Sequence, residues 1–143
     1  MHKLLAIAFF VWSASVFADD PVGRVKTVTG DAFVTTTGKK VKAEVGSPVY
    51  QGSLIETGKN SSLGLTFKDE TMVSFGANTV FTVSDYVYSP ADGKLKFGSK
   101  LAKGSLNYVS GAIGKLKPDA VTVGTPSGTI GVRGTQFLVT VAE

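Results

Sequence analysis

The chain has 143 residues, a formal net charge of +4 and no cysteine, and its single histidine is His2. That length suits one domain with a modest core. A chain with no His or Cys beyond residue 2 excludes disulfides, Ser–His and Cys–His nucleophilic catalysis, and the usual zinc sites.

The N-terminus opens with His2 and Lys3, runs apolar from Leu4 to Trp12, and ends in Val16-Phe17-Ala18 before Asp19-Asp20. This is the pattern of a secretory leader over 1–18, cleaved after Ala18. A spanning helix needs about 20 apolar residues, and the run is shorter. Residues 19–143 are then read as one exported β domain, and export argues against a nucleic-acid partner.

All 17 glycines follow the leader, nearly twice the usual ~7%. They punctuate short Thr- and Val-rich runs. "GRVKTVTGDAFVTTTGKKVKAEVG" predicts three strands with turns at Gly30-Asp31 and Gly38-Lys39. In the middle, Leu63, Leu65 and Phe67 share one face, followed by Val73 and Phe75, then Phe81 and Val83. The turns between them carry Lys68-Asp69-Glu70 and Gly76-Ala77-Asn78. Period two resumes at Leu95 and Phe97, Leu106 and Tyr108, Val121 and Val123, Ile130 and Val132, and Phe137, Val139 and Val141. "YSPADGK" (88–94) and "KLKPDA" (115–120) read as exposed turns. No window shows a sustained helical period with caps. The class is all-β, and strand starts roughly 8 to 12 residues apart fit a β-sandwich or barrel and a short β-solenoid nearly evenly, with uniform strand length and corner glycines leaning slightly to the solenoid.

Few residues are candidates for chemistry. Lys39-Lys40, Lys59 and Lys94-Lys96 fall among Gly-rich turns and form no basic block, so they read as a solvated surface with membrane contact at most peripheral. Asp69-Glu70 is a poor acid–base pair, because adjacent strand residues point to opposite faces, and no spacing pairs it with Glu44, Glu56, Asp85 or Asp119. The expectation is a protein that is not an enzyme and takes no metal or cofactor. Tyr86 and Tyr88 share a face beside an exposed turn, which suits core packing or an aromatic ligand surface for sugars.

The densest motif is "TPSGTIGVRGTQF", Thr125 to Phe137. An arginine between two glycines can lie across a strand corner and donate several hydrogen bonds, so Arg133 reads first as a paired structural clasp and alternatively as an exposed fork for an anionic ligand. The segment resembles the FecR domain, a bacterial envelope module, and Val-Arg-Gly-Thr is its most specific part. "GRVKTVTGDAFV", "VGSPVYQGSLIETGKNSSLGLTFKDETMVSF" and "GSLNYVSG" extend the likeness over roughly Val22 to Val141. The resemblance implies an all-β, solenoid-like periplasmic domain without catalysis. In that family's regulators the domain passes a signal between an outer-membrane TonB-dependent receptor and a cytoplasmic sigma factor. This sequence shows a leader where those regulators carry an anti-sigma region and a membrane span.

The motif positions carried over are Val132, Arg133, Gly134, Thr135 and Phe137, all read as structural. The expected role is that of an interaction module in envelope sensing, periplasmic, secreted or on the cell surface. Its partner would be an envelope receptor or inner-membrane sensor, bound through a strand edge, with self-association as a further expectation. The alternative is a binder of glycan or envelope polymer using Tyr86, Tyr88 and lysines.

Overall fold

The computed structural model describes residues 20–132 and 134–142, so the expected leader (1–18) and Arg133 lie outside the described residues. Twelve strands follow one another: β1 (Gly23–Thr29), β2 (Ala32–Thr36), β3 (Lys39–Lys42), β4 (Pro48–Val49), β5 (Leu54–Thr57), β6 (Ser62–Phe67), β7 (Met72–Phe75), β8 (Val80–Ser89), β9 (Lys94–Val109), β10 (Val121–Thr125), β11 (Gly128–Gly131) and β12 (Gln136–Val141). The all-β class read from the period-two runs is what the chain adopts. One helix interrupts it, α1 (Ala112–Leu116), whose five residues are too few to show a helical period. The two exposed turns expected around Pro90 and Pro118 are single 3₁₀ turns.

The strands form one curled sheet in the order β3-β2-β5-β8-β9-β7-β6-β1-β4. β10 and β12 branch from the two halves of β9, and β11 lies beyond β10. Of the pairings among the described residues only β9–β10 is parallel. β9 holds the curl together. Its first part pairs with β8 and β10, and its last part with β7 and β12. Gly104 sits at the changeover with φ +94°, where a Cβ would fall on Thr79, so only glycine fits the bend.

The core lies inside the curl. Val25, Val34, Ile55, Leu63, Leu65, Phe67, Val73, Phe75, Phe81, Val83, Phe97, Leu101, Leu106, Val121 and Val123 are all buried, as alternation demands. An aromatic series crosses it. Phe97 meets Phe67, Tyr86 and Tyr108 edge to face at 4.7, 5.2 and 5.8 Å, and Tyr108 stacks on Phe137 at 4.7 Å. Ile130 departs from the expected core face. It stands opposite Val123 on β11, but no described strand lies beyond β11, so it stays 40% exposed. Lys39-Lys40 and Lys94-Lys96, expected in turns, lie within β3 and β9.

Candidate interaction edge and the corner that holds it

The motif segment carries the chain from one half of the sheet to the other. β11 closes a hairpin with β10, where the Thr125 hydroxyl donates to the Gly128 carbonyl at 2.8 Å. Val132 is buried and its N–H donates to the Val121 carbonyl at 3.2 Å. Past Arg133, Ser110 captures two successive carbonyls. Its hydroxyl donates to Gly134 O at 2.7 Å and its N–H donates to Thr135 O at 2.8 Å. Gly134 and Thr135 are otherwise exposed, and Phe137 is half-buried against Tyr108. Among the described residues, the segment is held through its backbone and by Val132 and Phe137.

This crossing leaves β11 and β12 as open edges on either side of a shallow cleft of about 380 Å³, lined by Ile130, Val132, Phe137, Leu138 and Val139. Four edges exist among the described strands: β3, β4, β11 and β12. Proteins blunt edges with charge, proline, short length or bulges. β3 carries three lysines in four residues, β4 has two residues and begins with Pro48, and β11 has four residues ended by glycines. β12 has none of these devices. It is six residues long, "QFLVTV", uncharged and free of bulges, and Leu138 on it is 76% exposed.

A buried corner supports this edge. Between β6 and β7 the chain turns tightly through Lys68-Asp69-Glu70, with Glu70 N–H donating to Phe67 O at 3.0 Å and Glu70 at φ +69°. The turn was legible, but the burial of Asp69, 2% exposed, was not. Its carboxylate accepts from the Tyr86 hydroxyl at 2.8 Å, the Thr71 hydroxyl at 2.7 Å, Thr71 N–H at 3.3 Å and Ile113 N–H at 3.0 Å. The Asp69 carbonyl accepts from Ala112 N–H at 2.8 Å. Gly111, beside Ser110, is pressed so close that a Cβ would meet Asp69 O and the Thr71 nitrogen. The one local hint was a Thr two residues after an Asp in a hairpin turn, a spacing that suits side-chain capture of the backbone.

Tyr86 is a member of this corner. It is 6% exposed, its N–H donates to Gln51 Oε1 at 3.1 Å, and burial foremost, then the Asp69 charge, pushes its hydroxyl far above the ordinary tyrosine range. Burial likewise raises Tyr108, with the Asp69 charge adding to it. Tyr88, on the same side of β8, is only half-buried. The pair shares a polar cleft of about 360 Å³ with Asp20, Gln51 and Lys68, in which Tyr88 is the more open ring. Among the described residues no three His, Cys, Asp or Glu side chains gather as a metal site.

A family model described as FecR protein matches residues 53–143. The chain belongs to the FecR family. No curated protein and no solved structure matches it. The FecR match runs from β5 through β12. It therefore takes in the Asp69 corner, the whole of β9 and the open β12 edge, whereas β1 to β4 precede it. No helix among the described residues is long and apolar enough to cross a membrane.

Proposed function

We propose that the protein is a non-catalytic, exported interaction module of envelope signalling that receives an extended segment of a partner protein on β12. The observation that carries this reading is the contrast among the edges: β12 alone among the described edges combines length, neutrality and an exposed leucine. Strand addition at such an edge draws affinity from main-chain hydrogen bonds and specificity from alternate side chains, here Leu138 and the neighbouring cleft. FecR membership supports the signalling role, and the leader pattern over 1–18 supports a periplasmic or surface location. Asp69 supports the non-catalytic reading, since all four of the donors around its carboxylate come from the protein. Whether the curled sheet is classed as a short solenoid or a sandwich leaves this reading unchanged, because β12 is an edge in both.

The test is a photo-activatable residue placed at Leu138 and, separately, at Val41 on the lysine-guarded β3 edge, with cross-linking in intact cells. We expect a discrete adduct with one envelope receptor or sensor from position 138 only, lost when a Leu138→Asp change is combined with a label at Thr140. Equal adducts at both positions, or none at 138, would sink the proposal.

A second reading rests on the cleft that holds Tyr88, Gln51 and Lys68. An aromatic ring beside amide and ammonium donors suits a sugar of the cell wall. Since Tyr86 is part of the core, the informative variant is Tyr88→Ala alone. It is expected to abolish retention on isolated cell-wall material; unchanged retention rejects the glycan reading.

A further inference from the structure

Strand pairing assembles a lysine-rich face that chain order disperses. In one row across the sheet, directly opposed residues run Lys42, Phe33, Glu56, Val80, Lys103. In the next they run Lys40, Thr35, Leu54, Thr82, Lys100. Opposed residues share a face, and the alternate residues Ala32, Val34, Ile55, Phe81, Val83 and Leu101 are buried, so both rows point outward. Each row begins and ends with a lysine, four strand spacings or roughly 19 Å apart. Lys96 joins them lower on β9, paired with Asp85 at 3.5 Å, and Lys40 lies 4.0 Å from Glu56. Among the described residues Lys42, Lys100 and Lys103 have no carboxylate within ion-pair reach. Five lysines against Glu56 and Asp85 place most of the chain's net charge of +4 on this one face.

Edge protection explains lysines on β3 but not on β9, which has neighbours on both sides. The opposite outer face differs. Its rows over β6, β7, β9 and β12 present Ser62, Ser74, Ser105, Asn107 and Thr140 together with the exposed apolar Met72 and Leu138, and its cations, Arg24 and Lys26, are confined to β1. The lysine face also leaves Phe33, Leu54 and Val80 half-exposed between its cations, and Val87 38% exposed beside Lys96. A soluble polyanion has no use for those apolar groups. A bilayer interface accepts both, with ammonium groups at headgroup phosphates and apolar side chains at the level beneath.

We propose that the outward face of β3, β2, β5, β8 and β9 docks the protein on a bilayer bearing anionic phosphate headgroups. This docking is independent of the β12 edge, which lies on the other half of the sheet, so one can fail without the other.

The test is flotation of the purified protein with phosphatidylethanolamine vesicles, with and without phosphatidylglycerol, at physiological salt. We expect binding only to the anionic vesicles. The triple variant Lys42→Ser, Lys100→Ser, Lys103→Ser should bind about 100-fold more weakly, at about fivefold per lysine. A control triple with the same charge loss, Lys59→Ser, Lys115→Ser, Lys117→Ser, should stay within a few-fold of the unaltered protein. Equal losses in the two triples would reduce the effect to bulk charge and overturn the face. Binding without regard to phosphatidylglycerol overturns the electrostatic argument. Retention of soluble polyphosphate with no vesicle binding overturns the bilayer as the occupant.

Discussion

The Asp69 corner and the β12 edge adjoin each other through Ser110 and Gly111, yet they handle backbone polarity in opposite ways. At the corner, side chains and backbone from β6–β7, β8 and α1 converge so that a buried carboxylate meets four donors. At the edge, one side of β12 pairs with β9 and the other pairs with nothing among the described strands. A buried polar network is stabilising only when every member is satisfied, whereas an unpaired edge costs little while water solvates it. The corner therefore concentrates stability and the edge retains capacity for binding. Ser110 links them, because it fixes Gly134 and Thr135 and so sets where β12 begins.

If that division holds, changes at the corner must cost stability and changes at the edge must not. The largest effect is expected from Asp69→Ala, which orphans four buried or half-buried donors at once. A loss of about 4 kcal/mol follows from typical costs of unmet buried hydrogen bonds, lowering the melting temperature by more than about 10 °C. Circular-dichroism melts measure it directly, and a drop of only a degree or two would break the contrast.

Next in size is an alkaline effect. Tyr86 and Tyr108 have folded-state pKa values raised above the ordinary 10.0. Below that pH both are protonated in the folded and unfolded chains, so they contribute no pH dependence. Above it the unfolded chain loses protons first, and stability falls by up to about 1.4 kcal/mol per pH unit for each tyrosine. Urea titrations between neutral and strongly alkaline pH should show this slope, and Tyr86→Phe should shallow it. A flat profile would mean these hydroxyls titrate as they do in water.

The smallest stability effect belongs to the edge. Leu138→Asp should unfold within about 0.5 kcal/mol of the unaltered chain, as exposed substitutions do, while removing the partner adduct. A large destabilisation would make β12 part of the core support and erase the difference between the two regions.

Much of the fold was legible because period two is a local property. Leu63, Leu65 and Phe67, or Val121 and Val123, declare their buried face within a few residues. Ile130 misled because alternation tells which face a residue takes and not whether anything covers it. Asp69 was readable as a turn residue, but nothing near it in sequence announces that Tyr86 and the backbone of Ile113 come to its oxygens. Tyr86 and Tyr88 do share a side of β8, yet only packing separates the buried ring from the more open one. The lysines illustrate the same point, since Lys39-Lys40 and Lys94-Lys96 look like turn residues among glycines until the strands are paired.

The sequence by itself determined most strand positions, most of the apolar buried set and the FecR likeness, since each rests on local alternation or on a contiguous motif. Tertiary structure alone decided which edge is unguarded, which carboxylate is buried and which lysines share a face. Those depend on register and strand order, which bring Lys42 opposite Phe33 and, three pairings later, Val80 opposite Lys103. No local pattern encodes that sequence of partners; the free energy of closing one core around β9 selects it.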